Sequence, residues 1–219
     1  MTNTITFEVA GHEPVTIAIR NGVIAGWTGR NMDAVQHHID ELKAIGVPPP
    51  STVPLYYRVA SSLLTTDALI ETVDETSSGE AEPVLLDDGA NLYLGLGSDH
   101  TDRKLESYSI AFSKQISAKP VSGEVWRFAD VEPYWDELVL RSWAVIDGEK
   151  VLYQEGTVAG LLHPRELFRR YGFADAKLAP GHAMFCGTLA VHGGIRPAER
   201  FECELFDPRR NRALRMSYG

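Results

Sequence analysis

The most informative stretch of this sequence runs from residue 80 to residue 103 and reads EAEPVLLDDGANLYLGLGSDHTDR. Its two apolar runs, EAEPVLLDD and NLYLGLGS, have the texture of strands and are separated by Asp87-Asp88-Gly89, residue types that favour a turn. Acidic residues stand at the start of the first run and directly after the second. The pattern predicts two short strands joined by a turn, with carboxylates at their far ends.

Short strand-like runs recur on both sides of this stretch. Asn21-Gly22 separates two of them and predicts a hairpin, because both residue types tolerate positive φ. Many short strands with few helices favour a β-rich roll or sandwich over a doubly wound α/β fold. The runs are TITFEV, PVTIAI and GVIAGWT within residues 3–30, VPLYYRVAS at 53–61, 138–146 and 149–153 around Asp147-Gly148, and FECELFDP with RALRMSY near the C-terminus.

Three segments have helical patterns instead. Residues 31–45 carry apolar side chains three or four positions apart, and the proline-rich VPPPSTVP that follows predicts an extended link. A second helix is predicted within 101–117. A third is predicted over 163–171, where Pro164 suits a first helical turn and Gly172 suits the end.

Composition limits the class of protein. The chain has 219 residues, of which 44% are hydrophobic, and a formal net charge of −9, so one globular domain is expected and dominant disorder is not. The acidic balance argues against a nucleic-acid partner. The first residues lack the features of a signal peptide and no apolar run approaches a membrane span, so we expect a cytoplasmic protein. Cys186 and Cys203 do not suggest a disulfide scaffold, and we interpret Cys186 as a core residue.

The spacing of Glu80 and Glu82 suggests a cation site. In a strand, residues i and i+2 point to the same face about 6.6 Å apart, so two carboxylates can converge on one ion. Oxygen ligands suit Mg²⁺ or Mn²⁺ rather than zinc. The plainer alternative is a solvated strand face, and Glu202 and Glu204, which flank the apolar Cys203, fit that alternative better.

Three further positions could carry chemistry. Asp99 follows the second apolar run and could supply a third carboxylate, although a polar turn would look the same. His38 and Glu41 are helix neighbours that could share a proton, or form an ordinary surface pair; His38 borders the apolar stripe, whereas His37 lies away from it. Gly187-Thr188 could bring backbone and a hydroxyl to a ligand, or form a plain tight turn.

In this order, the segments resemble the fumarylacetoacetate hydrolase superfamily from about residue 24 to the C-terminus. The family order is G-x-N-Y-x-x-H-x-x-E, a proline-rich link, P-x-x-F-x-K, E-x-E, D-x-[ST]-x-R-D, A-K and G-T-P-x-G. The matching residues here are Gly26 to Arg30 with His38 and Glu41, VPPPSTVPLYYR with Arg58 in place of the lysine, Glu80 and Glu82, Asp99, Thr101 and Arg103, Lys119 with Lys114 as a rival, and Gly187 with Thr188.

The chain departs from this pattern in three places. The G-x-N-Y signature is poorly kept, the distance from the glycine to the histidine is longer, and Leu189-Ala190-Val191-His192 replaces P-x-G-V. All three places border the substrate in the family. The identity of the substrate therefore does not follow from the resemblance.

The resemblance implies a mainly β (α+β) fold, a mixed β-sandwich roll with a few short helices. It implies N-terminal strands over residues 1–30 that pack on a catalytic domain over 31–219, and a homodimer. Its residue roles are carried over one by one. Glu80, Glu82 and Asp99 would hold Mg²⁺, with Mn²⁺ as the alternative; His38 and Glu41 would act as base and orienter; Lys119 would stabilise negative charge; and Arg58, Arg103 and Thr188 would bind substrate.

The function implied is metal-dependent hydrolysis of a C–C bond in a small acylpyruvate- or diketo-acid-like carboxylic acid. Two alternatives stay open. One is a lyase that decarboxylates or dehydrates a 2-oxo acid. The other is a catalytically silent β-roll that binds metal or a partner protein, which would not need His38 and Glu41 as a proton-transfer pair.

Overall fold

The computed structural model describes residues 2–44 and 49–219, apart from four side chains of the first helix. Those four side chains belong to His38, Glu41, Leu42 and Ala44. The helices are α1 (Met32–Ala44), α2 (Arg103–Glu106), α3 (Ile110–Ile116) and α4 (Pro164–Tyr171), with short 3₁₀ helices at Ser61–Leu63, Phe128–Asp130, Glu132–Glu137, Val158–Gly160 and Ala174–Ala176.

The described part of the chain contains sixteen strands, several of them only two residues long. They are β1 (Asn3–Val9), β2 (His12–Ile19), β3 (Asn21–Gly26), β4 (Leu55–Val59), β5 (Leu64–Thr65), β6 (Ser77–Ser78), β7 (Ala81–Asp87), β8 (Leu92–Ser98), β9 (Thr101–Asp102), β10 (Lys119–Pro120), β11 (Glu124–Arg127), β12 (Val139–Ile146), β13 (Glu149–Thr157), β14 (His182–Phe185), β15 (Arg200–Asp207) and β16 (Arg212–Tyr218).

Two sheets organise these strands. The larger has the order β2-β1-β11-β8-β7-β14-β3-β4 and is mixed, since β1 runs parallel to β11 and β14 runs parallel to β3. The smaller, β13-β12-β15-β16, is antiparallel throughout. Two short pairs, β10 with β5 and β6 with β9, lie outside them. The predicted β-rich roll is therefore confirmed.

The core lies on both faces of the large sheet. Leu85 of β7 belongs to a cluster shared with the small sheet, whereas its neighbours Val84 and Leu86 belong to a second cluster. That second cluster joins Ile17 of β2 at one edge of the sheet to Val59 of β4 at the other edge. The large sheet must therefore curl for these edges to share one apolar interior. Strand β7 is buried on both faces, which explains its nearly continuous apolar sequence.

The predicted hairpin at Asn21-Gly22 is wrong. Both residues lie inside β3, which pairs with β14 and β4, while β2 pairs with β1. A Cβ at Gly22 would stand 2.7 Å from a methyl carbon of Val59, so this glycine allows two strands to approach rather than to turn. The turn between β1 and β2 falls at Gly11 instead, where φ is +76°.

The helix predictions are confirmed in two segments and corrected in the third. Helix α1 begins and ends close to the predicted bounds, although residue 45 lies outside the described residues. Helix α4 ends at Gly172, where φ is +98°. Segment 101–117 forms two helices rather than one, because Asp102 caps α2 and Ser109 caps α3 through their side-chain oxygens.

The N-terminal strands join the large sheet directly. Strands β1 and β2 form its edge, and β3 lies between β14 and β4. The division at residue 30 into N-terminal strands and a catalytic domain stays a prediction. Both cysteines are free and buried, which confirms Cys186 as a core residue. None of the described helices is long and apolar enough to cross a membrane.

Candidate metal centre

The pairing of β7 with β8 brings the three predicted carboxylates together. The strands are antiparallel, with Ala81 opposite Ser98, so the start of one meets the end of the other. Glu80 directly precedes β7, Glu82 lies on it, and Asp99 directly follows β8. One ligand oxygen from each carboxylate lies within 4.8 Å of the others. The sequence prediction of a converging acidic cluster is therefore matched by the geometry.

In this carboxylate cluster of Glu80, Glu82 and Asp99, the last two residues are sheltered from water and Glu80 is partly exposed. Glu82 is 2% exposed and Asp99 is fully buried. The backbone N–H of Gly187 donates to Glu82 Oε2 over 2.7 Å. Burial, followed by the charges of Asp99 and Glu80, raises the pKa of Glu82 well above its ordinary value. Solvent therefore screens the repulsion between these carboxylates poorly, and the protonated form of Glu82 is favoured unless a cation lies nearby.

Both candidate lysines contact Asp99. Lys119 Nζ lies 3.2 Å from Oδ1 and donates to the carbonyl oxygen of His100 over 2.6 Å. Lys114 Nζ hydrogen-bonds Oδ2 and lies 3.8 Å from Glu80 Oε2. Burial alone would raise the pKa of Asp99, but the two ammonium charges outweigh it and lower that pKa. The two lysines therefore share the site, rather than one replacing the other.

The donor set of the carboxylate cluster fits a hard divalent cation. All three ligands are carboxylate oxygens, the type that Mg²⁺ and Mn²⁺ prefer. Asp99 Oδ1 is buried and accepts no hydrogen bond of good geometry from the described residues, despite the nearby ammonium of Lys119. A buried carboxylate oxygen without a hydrogen-bond donor is an available ligand.

Arg103 is positioned by its neighbours beside Glu80. Its Nη2 lies 3.1 Å from Glu80 Oε1, its Nη1 donates to Glu106 over 3.0 Å, and its Nε donates to Ser78 over 2.7 Å. Arg103 is the first residue of α2 and directly follows Asp102, which caps that helix. The structure thus places Arg103 at the rim of the carboxylate cluster, and its predicted role in substrate binding stays a prediction.

Thr188 lies next to the cluster, but its hydroxyl is already engaged. It donates to the carbonyl oxygen of Ala81 over 2.8 Å and accepts from Gln154 Nε2 over 2.7 Å. Gln154 also donates to the Leu189 carbonyl oxygen, and its Oε1 accepts from the Ala81 N–H. Gln154 therefore fixes the 188–189 backbone to β7, a role that we did not predict from the sequence.

Arg58 does not lie with the carboxylate cluster. It is exposed on β4, and its guanidinium hydrogen-bonds the side chain of Asn21. Adjacent strand residues point to opposite faces, and the ring of the neighbouring Tyr57 lies 5.8 Å from Lys114 Nζ. The structure thus brings Tyr57, rather than Arg58, close to Lys114 of the site. The tyrosine next to Arg58 in the sequence was the signal that could have identified the residue near Lys114.

The two predicted proton-transfer residues lie on α1. The helix is described, but the side chains of His38 and Glu41 lie outside the description, so their roles stay predictions. A different histidine, His100, is buried between β8 and β9, directly after Asp99. Its two ring nitrogens contact Tyr218 and Ser77. Burial, then the charges of Lys119 and Arg103, lowers the pKa of His100 to about 4. His100 is therefore neutral near pH 7.

The second E-x-E pair, Glu202 and Glu204 on β15 of the small sheet, differs from the carboxylate cluster. Glu204 is paired with Arg141 and Arg215, and Glu202 is paired with Lys150. Cys203 between them is buried, as expected for the apolar face of β15. The prediction that this second E-x-E is the polar side of an ordinary strand agrees with these contacts.

Gly187 provides a test of how tightly the site is built. Its φ is +98°, and an added Cβ would stand 1.7 Å from Thr28 Oγ1. Gly187→Ala should lower the free energy of unfolding by about 3 kcal/mol or more, because backbone strain and overpacking combine. Gly194→Ala is the matched control, since its φ is +81° with nothing within 4 Å of the added carbon. We expect it to lose only about 1–2 kcal/mol from the left-handed backbone. Equal losses in urea unfolding would contradict this interpretation.

Comparisons with known proteins agree with this architecture. The family described as a protein of unknown function (DUF2848) matches residues 25–218. No curated protein matches the chain in sequence.

Several solved structures share the fold. A proposed fumarylacetoacetate isomerase/hydrolase from Oleispira antarctica is 19% identical, with a TM-score of 0.67 and 97% of each chain covered. A proposed fumarylpyruvate hydrolase from Burkholderia cenocepacia is 16% identical, with a TM-score of 0.65, 100% of this chain and 91% of that one covered. A 2-keto-3-deoxyarabinonate dehydratase is 14% identical, with a TM-score of 0.63 and coverages of 90% and 72%.

Sequence identities at this level establish a shared fold and not a shared reaction. The resemblance to the fumarylacetoacetate hydrolase superfamily is confirmed at that level, over nearly the whole chain. The matched residues begin within β3 and end at the last strand, so they include the entire carboxylate cluster. The chain belongs to the family described as a protein of unknown function (DUF2848), and it has the fold of the fumarylacetoacetate hydrolase family.

Proposed function

We propose that the protein is a divalent-metal-dependent hydrolase that cleaves a C–C bond in a small acylpyruvate- or diketo-acid-like substrate. The observation that carries this proposal is the convergence of Glu80, Glu82 and Asp99 beside two buried lysines. A purely structural cluster would not need three carboxylates at one buried point, since burying each charge costs free energy. Such an arrangement is typical of a site built to hold a cation and an anionic substrate.

Glu80, Glu82 and Asp99 would hold the metal, Mg²⁺ or Mn²⁺. A divalent cation bound there would stabilise the enolate oxygens of a 2-oxo acid as its carbon–carbon bond breaks. Oxygen-only ligation by carboxylates supports these metals over zinc.

The surrounding residues would bind and orient the substrate. Lys119 is buried and held by the His100 carbonyl oxygen, so its position is fixed before substrate arrives. An ammonium in that position would attract a carboxylate or a developing oxyanion. Because the Thr188 hydroxyl already donates to Ala81, substrate would meet a threonine oriented by Gln154 rather than a freely rotating donor.

Proton transfer is assigned to α1. His38 would act as the general base that activates water, and Glu41, one helical turn further, would orient it. His100 is a weaker candidate for this role because both of its ring nitrogens already contact Tyr218 and Ser77. The buried, neutral His100 would position Lys119 instead, through its backbone carbonyl oxygen.

The fold neighbours favour the same substrate class and leave the reaction to experiment. Their names include a fumarylpyruvate hydrolase and a 2-keto-3-deoxyarabinonate dehydratase, and both names describe small acids with a keto group. A lyase acting on a 2-oxo acid is the second candidate, because the dehydratase has the same fold. The two candidates differ in whether water attacks carbon.

The test is product analysis on a panel of acylpyruvates, diketo acids and 2-oxo acids with added Mg²⁺, added Mn²⁺ or EDTA. Two carboxylic acid fragments that form only with metal, one of which carries ¹⁸O from labelled water in its new carboxylate, would support the hydrolase. Release of CO₂ or loss of water would favour the lyase. Equal turnover in EDTA would contradict metal dependence, and no turnover of any compound would favour the silent binding module.

We further propose that the protein is a homodimer that acts on small molecules in the cytoplasm, as expected from the resemblance and the sequence. One chain has a mass of 24.2 kDa. Sedimentation at micromolar concentration should therefore give about twice that mass, following the symmetric dimers that dominate soluble oligomers. A single species near the mass of one chain would contradict the dimer.

A further inference from the structure

Lys114 and Lys119 are held in different ways. Lys119 is fully buried on β10 and has a second anchor, the carbonyl oxygen of His100 at 2.6 Å. The ammonium of Lys114 contacts the carboxylates of Asp99 and Glu80, and its further neighbour is the face of the Tyr57 ring at 5.8 Å. The Lys114 ammonium therefore interacts mainly with two of the three carboxylates that are proposed to hold the metal.

The backbone around Lys114 also differs from that around Lys119. Lys114 lies on α3, a helix of seven residues whose outer face exposes Phe112 and Ile116. Lys119 belongs to a strand paired in parallel with β5, and it lies opposite Leu64 in the core. A shift of the Lys114 ammonium toward Tyr57 breaks no backbone pairing between strands, whereas a shift of Lys119 would remove the partner of the His100 carbonyl oxygen.

The net charge of the site would change when a divalent cation binds. Arg103 lies 3.0 Å from Glu106 and 3.1 Å from Glu80. If its charge is set against that of Glu106, the two positive lysines face the three negative carboxylates. Adding a divalent cation to that set would make the site net positive, and buried like charges repel strongly. Withdrawal of one lysine would restore neutrality. Lys114 is the one whose contacts permit it.

We propose that Lys114 is the resident cation of the carboxylate cluster: it holds Asp99 and Glu80 together without metal, and it must leave Asp99 when a divalent cation binds. This inference rests on the proposed metal site. Lys114 is thus a positioning residue that sets metal affinity by competition. A second, fixed cation, Lys119, stays beside Asp99 in both states.

The experiment is Mn²⁺ titration of the metal-free protein by calorimetry, with Lys114→Met as the main variant. Removing the competing charge should tighten Mn²⁺ binding about tenfold or more, because the ion no longer displaces an ammonium. Lys104→Met is the matched control: it removes the same charge from an exposed position on α2, and we expect less than about a twofold change after screening by salt. Thermal unfolding in EDTA gives a second readout, in which Lys114→Met should melt earlier than wild type and gain more from Mn²⁺.

Lys114→Arg covers the case in which the methionine variant does not fold without metal. It keeps the positive charge and should bind Mn²⁺ no more tightly than wild type. Tighter binding by the arginine variant, or unchanged or weaker binding by Lys114→Met, would overturn the inference while leaving the metal-dependent function standing. Binding by Lys114→Met but not by wild type would support the resident cation and contradict metal dependence of the natural enzyme. Absence of Mn²⁺ binding in both would contradict both proposals.

Discussion

Glu82→Gln should weaken divalent-metal binding by about 100-fold or more, since loss of groups that only support a ligand already costs 10–100-fold. Turnover should be lost with the metal. The fold should survive, because the amide oxygen of glutamine can still accept the hydrogen bond from the Gly187 N–H. The metal-free variant should be at least as stable as wild type, because it no longer buries a carboxyl beside two other carboxylates. Calorimetry with Mn²⁺ and urea unfolding in EDTA measure the two effects separately.

Glu202→Gln is the matched control for this change. It removes a glutamate from the same E-x-E spacing, but on β15, where Glu202 is paired with Lys150 at 2.5 Å. We expect it to alter stability by less than about 0.5 kcal/mol, as is usual for an exposed pair, and to leave metal binding unchanged. A similar loss of metal binding in both variants would show that the effect of Glu82→Gln is not specific to the carboxylate cluster.

His38→Ala should lower kcat by about 10²–10⁴-fold, the usual range for losing a general acid or base. Metal affinity should stay nearly unchanged, because His38 lies on α1 and is not among the three carboxylates. A chemical step limited by proton transfer should also lose the pH dependence of that base. Steady-state kinetics over pH, combined with Mn²⁺ titration, separates catalysis from metal binding.

His37→Ala is the natural comparison, since His37 occupies the adjacent position on the same helix and points to a different side of the helical wheel. It should change kcat by less than about threefold, the range of small effects at sites away from the chemistry. Equal losses of kcat in the two variants would remove His38 from its assigned role. Loss of metal binding in His38→Ala would do the same.

The carboxylate cluster could be predicted because one simple rule of sheets governs it. Two apolar runs joined by a short turn form antiparallel neighbours, so residues before the first strand and after the second must meet. Glu80 and Asp99 are joined in this way, with the Asp99 N–H donating to the Glu80 carbonyl oxygen over 2.9 Å. Local sequence order therefore determines this contact without knowledge of the rest of the fold.

Other features depend on register and capping, which the residue pattern did not determine. A one-residue change in strand phase exchanges Tyr57 for Arg58 at the site, and β4 has polar or aromatic residues on both faces. Gln154 is buried because the register between β12 and β13 shifts at Ser142, which leaves Tyr153 and Gln154 both inside. Such a bulge has no clear signature in these sequences.

The break between α2 and α3 had a signal that we did not use. Ser109 is a good N-cap residue, and its hydroxyl accepts from the Phe112 N–H, so a new helix begins there. The new start at Ser109 matters for the site because α3 carries Lys114, which contacts Asp99.

The most direct measurement is anomalous scattering from crystals of the protein grown or soaked with Mn²⁺. We expect one anomalous peak bounded by oxygens of Glu80, Glu82 and Asp99, with water or substrate oxygens completing the six positions usual for a hard divalent cation. No peak is expected beside Glu202 and Glu204. Carboxylates that diverge into solvent with no peak between them, in crystals where Mn²⁺ is present, would contradict the metal centre and the hydrolase built on it.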